Sequence, residues 1–198
     1  MFDFDRGKDG NVSRRVFLYG AGAVVGGSLL WHWRMPRVNA AVKSEPGEVM
    51  IVQFSDDGKK LGKVKIAKVI KTEDEWRKQL PSASFDITRH ADTEMAYTGK
   101  YWNLHDKGIF RCICCDNALF SSETKFDSGT GWPSFWAPLA QEIVREIHDT
   151  SIGMERTAVS CKECDGHLGH VFDDGPKPTG LRYCMNGVAL TFKPAVAS

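Results

Sequence analysis

The chain has 198 residues, room for one ordinary domain with a tail and too few for two large ones. Hydrophobic residues make up 42% and charged residues 26%, which excludes a disordered polymer and a polytopic membrane protein. Lys and Arg number 26 against 25 Asp and Glu; the net charge of +1 excludes an electrostatic case for nucleic-acid binding.

Residues 13–18 read Ser13-Arg14-Arg15-Val16-Phe17-Leu18 and run into the uncharged, Gly-interrupted stretch from Val16 to Trp31. Its 16 residues fall short of the roughly 18 of a convincing membrane span. Val38-Asn39-Ala40 offers the small residues that a signal peptidase reads. Residues 1–40 therefore resemble a twin-arginine export signal and imply a periplasmic destination, with an uncleaved anchor as the alternative. Their removal leaves 20 basic and 22 acidic groups, a formal charge of −2, and no bias towards stable membrane association.

Residues 41–71 read as a linker and a β-hairpin. The strand candidate Val49 to Phe54 and the alternating run Val64 to Ile70 flank the turn signal Asp56-Asp57-Gly58. Thr72-Glu73-Asp74-Glu75 is a capping box that opens a short helix to about Leu80, stopped by Pro81. A second short helix is predicted over Phe85 to His90. From Ala96 the helical period is lost. Phe110 to Cys112, Ala158 to Ser160 and Val188 to Phe192 read as strands. The 19 glycines agree with a mainly β fold preceded by two short helices.

Six cysteines lie in the second half: Cys112, Cys114, Cys115, Cys161, Cys164 and Cys184. Cys112 with Cys115 and Cys161 with Cys164 form two CxxC steps separated by 45 residues. Each step points two thiols into one cavity, and two steps suffice for a tetrahedral four-cysteine site of the kind structural zinc occupies. Two disulfides, a redox CxxC and an iron–sulfur cluster are the competing readings. Folding around zinc before export also spares the thiols from an oxidising compartment.

Cys184 stands apart in Gly180-Leu181-Arg182-Tyr183-Cys184-Met185-Asn186-Gly187. On a strand, Arg182 and Asn186 share its face, the first favouring a thiolate and the second offering an amide. His167 and His170 follow the second CxxC step as a proton-donor pair, as alternative zinc ligands or as structural histidines. Gly129 to Trp136 reads as an ordered loop, with Trp132 either a pocket wall or part of a core aromatic cluster. A buried structural cysteine remains the bland reading of Cys184.

The stretches FRCICCDNALF, FDSGTGWPSFW, CKECDGHLGHVFDDGP and GLRYCMNG, with the lead-in Thr93 to Trp102, resemble the methionine-R-sulfoxide reductases over residues 72–193, leaving 194–198 as a tail. The resemblance implies a mainly β fold of two facing antiparallel sheets in a β-tent arrangement, with a structural zinc on Cys112, Cys115, Cys161 and Cys164. It implies Cys184 as nucleophile, His167 and His170 in acid and orienting roles, and Arg182 and Asn186 supporting the thiolate. It further implies Asp174 orienting a histidine and Trp132 packing against the substrate S-methyl group. The implied substrates are oxidised proteins bearing methionine-R-sulfoxide, and the implied reductant is thioredoxin-like. Many relatives carry a resolving cysteine where this chain has Thr130, and Cys114 is the only thiol left for that role. A non-catalytic zinc-stabilised β module that binds a protein partner is the alternative function.

Overall fold

A computed structural model describes residues 44–149 and 156–195. The export signal predicted over residues 1–40 lies outside them. Strands β1 (Glu48–Phe54) and β2 (Lys60–Ala67) form the predicted hairpin, with Ile51 opposite Val64. Ile51 and Val52 are buried at 2% and 0% exposure, so the hairpin contributes to the common core. The Val69 N–H donates to the Glu163 carbonyl at 2.9 Å. The Lys68 ammonium meets the Asp165 carboxylate at 2.5 Å, with that carboxylate only 2% exposed.

Helix α1 (Glu73–Gln79) opens on the predicted capping box. The Glu75 N–H donates to the Thr72 hydroxyl at 3.3 Å, and the Thr72 N–H donates to the Glu75 carboxylate at 2.7 Å. Helix α2 (Ser82–His90) begins directly after Pro81, three residues earlier than the sequence reading placed it. Proline cannot continue α1 because it lacks an N–H, but its fixed φ suits the start of α2. The two helices bury Trp76, Phe85 and Ile87.

The strands that follow are β3 (Gly108–Cys112), β4 (Ala118–Ser121), β5 (Lys125–Phe126), β6 (Ser134–Phe135), β7 (Val144–Asp149), β8 (Arg156–Cys161), β9 (His167–Phe172), β10 (Arg182–Met185) and β11 (Leu190–Pro194). They form two antiparallel sheets, a six-stranded one in the order β5-β6-β10-β9-β8-β7 and a three-stranded one in the order β11-β3-β4. The predicted strand Val188 to Phe192 is shorter at its start: Gly187–Ala189 is a 3-10 turn and pairing begins at Leu190.

The sheets meet through aromatic rings. Phe110 of β3 packs edge-on against Phe135 of β6 at 5.0 Å, and Phe120 of β4 stacks on Phe135 at 4.5 Å. All three are fully buried. Phe135 is cross-strand from Tyr183, so residues of odd number on β10 face this core. Residues of even number, Arg182 and Cys184, face the other side.

Register then decides which side chains join Cys184. Cys184 lies opposite His170 on β9 and opposite Ser134 on β6. His167 and His170 are three apart, which on a regular strand would put them on opposite faces. Between β8 and β9 the pairing steps from Val159 with Gly169 to Ser160 with His167, leaving Leu168 as a bulge residue. The bulge shifts the alternation by one and turns His167 to the face of His170. Gly169 at φ +157 makes the close approach possible: a Cβ there would stand 2.2 Å from the Cys184 carbonyl oxygen.

Lys68→Met strands the Asp165 carboxylate in the interior, with Arg145 at 3.6 Å as its remaining ion-pair partner among the described residues. The expected loss is about 2–3 kcal/mol of unfolding free energy in urea. Removing Lys65, whose pair with Glu48 is exposed on both sides, should leave the urea midpoint unchanged.

Candidate active site

Two pieces of chemistry lie at separate places. The first is built from the CxxC steps, which fold into nearly identical knuckles. In the first, the Cys112 N–H donates to the Asn117 carbonyl at 2.8 Å and the Asp116 N–H to the Cys112 carbonyl at 2.9 Å. In the second, the Cys161 N–H donates to the Gly166 carbonyl and the Asp165 N–H to the Cys161 carbonyl, at 2.8 and 2.9 Å. Asp116 and Asp165 close the two turns in the left-handed region, at φ 61° and 56°, a conformation that Asp tolerates better than most residues.

The four sulfurs of Cys112, Cys115, Cys161 and Cys164 lie within 4.8 Å of one another. Cys112 to Cys164 is 3.7 Å and Cys115 to Cys161 is 3.6 Å. Sulfurs bound to one tetrahedral ion at about 2.3 Å stand about 3.8 Å apart, so the quartet is sized for a single metal ion. All six cysteines are free, and these spacings are far beyond a disulfide bond. Cys112, Cys161 and Cys164 are at most 1% exposed, which removes the redox reading of either step. The quartet is complete without His167 or His170.

Helix side chains brace both knuckles. Gln79 donates to the Cys114 carbonyl at 2.7 Å, and Arg89 donates to the Cys164 carbonyl at 3.0 Å. The Cys114 sulfur lies at this end of the molecule: a Cβ on Gly166 would meet Cys114 and Cys164 sulfurs at 3.3 Å each.

The second piece surrounds Cys184. Its face of the six-stranded sheet carries Ser134, Arg182, His170 and His167, with the two imidazole rings 5.2 Å apart. The Gly129–Trp132 part of the aromatic loop covers this face. The Thr130 hydroxyl is 3.8 Å from the Cys184 sulfur. Ser128 joins Thr130 at 2.8 Å and Ser134 at 2.7 Å, giving a run of hydroxyls that ends at the thiol. Burial pushes the Cys184 thiol above its ordinary value; the Thr130 and Ser134 hydroxyls and the Arg182 guanidinium oppose that by favouring the thiolate.

The Arg182 guanidinium sits over Phe172 at 4.3 Å and grips Asp174 through two bonds of 2.8 and 2.7 Å. The Asp174 carboxylate holds the guanidinium in place beside the thiol, and that bidentate pair keeps Asp174 below the usual carboxylate range.

β10 ends at Met185, and Asn186, the next residue, is 2% exposed. Its amide donates to the Leu168 carbonyl at 3.1 Å and accepts from the Glu94 N–H at 3.0 Å. It fixes the bulge and the end of β10.

Glu94 is a contributor that sequence reasoning missed. Its carbonyl accepts the Trp132 indole N–H at 3.1 Å, and its carboxylate accepts the N–H groups of Gly187 and Val188 at 2.6 and 3.1 Å. One residue thus ties the indole to the turn that follows β10. Ser128 and Ser134 were missed as well, since isolated serines in a loop carry no periodic signal.

A partly shielded thiol with a guanidinium, hydroxyls and imidazoles on one sheet face is the arrangement of a thiol-dependent enzyme. Residues 80–194 match the SelR domain, and the chain belongs to that family. It is 54% identical over 125 residues to a peptide methionine sulfoxide reductase MsrB of Herminiimonas arsenicoxydans, an alignment spanning 63% of this chain and 91% of that one. It is 56% identical over 122 residues to the protein of the same name from Synechococcus sp. strain RCC307, across 62% and 90% of the two chains. Against that of Pseudomonas putida strain W619 the identity is 55% over 127 residues, spanning 64% and 96%.

Two outcomes are expected. Cys161→Ser releases the single metal ion, read by elemental analysis, and lowers the thermal midpoint by about 10 °C. Alkylation of Cys184 by iodoacetamide accelerates as pH rises through the neutral range, because only the thiolate reacts and burial favours the thiol. Arg182→Met and Thr130→Val each remove a group favouring charge and move that curve to higher pH, as peptide mass mapping would record.

Proposed function

We propose that this chain reduces methionine-R-sulfoxide residues of oxidised proteins to methionine, with Cys184 as the nucleophile. The observation that carries this reading is the pairing of Cys184 with His170 across two hydrogen-bonded strands, with the four clustered thiols committed elsewhere. Cross-strand partners hold their Cβ atoms about 5 Å apart, close enough for both to reach one sulfoxide group.

The Cys184 thiolate attacks the sulfoxide sulfur while an imidazole of the His170 and His167 pair delivers a proton to the oxygen. The attack forms a sulfur–sulfur bond in a hydroxysulfurane; the hydroxyl then passes to the Cys184 sulfur as the substrate's sulfur–oxygen bond and the new sulfur–sulfur bond both break, so that methionine leaves and Cys184 becomes a sulfenic acid. Two external thiols then return Cys184 to its reduced form, releasing water and one disulfide; a thioredoxin-like protein is the reductant we infer. Arg182, fixed by Asp174, favours the thiolate form. Trp132, its ring pinned by Glu94, presents an apolar surface to the S-methyl group, so that methyl and oxygen meet different walls and one epimer is favoured.

Zinc is the metal that the four-thiolate donor set and its spacing suit, and its part is to hold two knuckles together. Residues 1–40 are inferred to direct the chain through twin-arginine export to the periplasm, leaving 72–193 as the reductase domain. A purely binding module has no use for a thiol set beside a guanidinium and imidazoles.

Cys184→Ser abolishes reduction of an R-sulfoxide peptide and retains bound metal; full activity in that variant overturns the assignment. Without reductant, the native enzyme halts after one turnover as a sulfenic acid that dimedone traps. Thr130→Cys sets a thiol near the position 3.8 Å from the Cys184 sulfur, and it closes an internal disulfide instead of the dimedone adduct.

A further inference from the structure

Among the described residues, six large hydrophobic side chains are well exposed, and three of them fall in one stretch of eight residues: Met95 at 75%, Tyr97 at 54% and Trp102 at 37%. Isolated exposed hydrophobics need no explanation, but a cluster beside a reactive group does.

This stretch is stitched to the loop that covers Cys184. The Tyr97 N–H donates to the Gly131 carbonyl at 2.9 Å, and the Tyr97 hydroxyl donates to the Gly129 carbonyl at 2.5 Å. One residue before Met95, the Glu94 carbonyl accepts the Trp132 indole N–H. Gly131, at φ +84, lies so close to Tyr97 that a Cβ would stand 2.7 Å from its ring. The Tyr97 and Trp102 rings meet edge-to-face at 5.3 Å, so the two support each other in the outward position.

The backbone is held there against its own preference. Tyr97 and Tyr101 adopt φ of 64° and 69°, a region that aromatic residues rarely occupy. Tyr101 turns inward onto Phe110 at 5.7 Å, while Tyr97 turns outward. Strain of this kind persists where the surrounding contacts over-determine it, and it concentrates at binding sites.

We propose that Met95, Tyr97 and Trp102 form a docking lip for the polypeptide on either side of the oxidised methionine, and that the lip selects segments with an apolar residue beside the sulfoxide. The proposal rests on the reductase reading above and adds what accompanies the sulfoxide. The occupant is a locally unfolded segment of a damaged protein, because the lip is continuous with the Trp132 loop and a sulfoxide seated at Cys184 brings its neighbours in sequence past it. Oxidation of a core methionine exposes the apolar residues around it, which gives such segments the chemistry the lip accepts.

The test compares kcat/KM for N-acetylmethionine-R-sulfoxide and two blocked tripeptides with the sulfoxide between two leucines or between two serines. The native enzyme is expected to favour the leucine peptide over the serine peptide about tenfold. Trp102→Ser combined with Met95→Ser is expected to bring that ratio to about one, with the loss appearing in KM for the leucine peptide. A native ratio near one, a ratio unchanged in the double variant, or equal losses on both peptides would overturn the lip. So would a change in sedimentation mass without a change in ratio, which would mark the lip as a contact between copies of the chain. Failure of the native enzyme to reduce any of the three substrates sinks the reductase reading; reduction without preference sinks the lip alone.

Discussion

Four sulfurs packed within 4.8 Å set the rest of the molecule in place. Cys112 ends β3 in the three-stranded sheet, and Cys161 ends β8 in the six-stranded sheet. The quartet therefore joins the two sheets at one end, while the Phe110, Phe120 and Phe135 rings join them across the middle. β9 begins at His167, three residues after Cys164, so the knuckle fixes where the imidazole strand starts. From the sulfur quartet, β9 leads to His170, which is the cross-strand partner of Cys184. The β1–β2 hairpin precedes the family match, yet Lys68 and Val69 anchor it to the second knuckle.

The Cys184 environment balances two opposed demands. A thiolate reacts and a thiol does not, so burial alone would silence the residue. Full exposure would leave the sulfenic acid open to further oxidation. The structure answers with partial burial and a set of groups that favour charge: Arg182 on the same strand face, Thr130 from the loop, Ser134 from the neighbouring strand. Asp174 prevents the guanidinium from leaving for solvent. That carboxylate is exposed, so its worth lies in orientation more than in stability.

Much of this was legible in the sequence because it rests on local rules. The capping box at Thr72, the hairpin turn at Asp57-Gly58 and the duplicated CxxC steps need only neighbours along the chain. The face shared by Arg182 and Cys184 follows from strand alternation. The end of β10 at Met185, one residue before Asn186, is not marked by the residue types. His167 and His170 share a face only through the bulge at Leu168, which depends on pairing with β8 and on the missing Cβ of Gly169. Glu94 lay hidden because its bonds span more than ninety positions to Gly187 and Val188. The pairing of Asp174 with Arg182 is hidden too, because sequence spacing does not show that the guanidinium sits over Phe172 within reach of that carboxylate.

In the cycle proposed above, Thr130 decides how Cys184 returns to the thiol. A hydroxyl at 3.8 Å can steady a thiolate by donating a hydrogen bond, but it cannot form a bond to the sulfur of a sulfenic acid. Cys114 packs against the sulfur quartet beside Cys164 and Gly166, held by Gln79 through its carbonyl. To reach Cys184 it would have to leave that packing and break the first knuckle, which follows β3. On the proposed reading the oxidised sulfur meets a thiol from outside, and the partial exposure of Cys184 serves substrate and reductant alike.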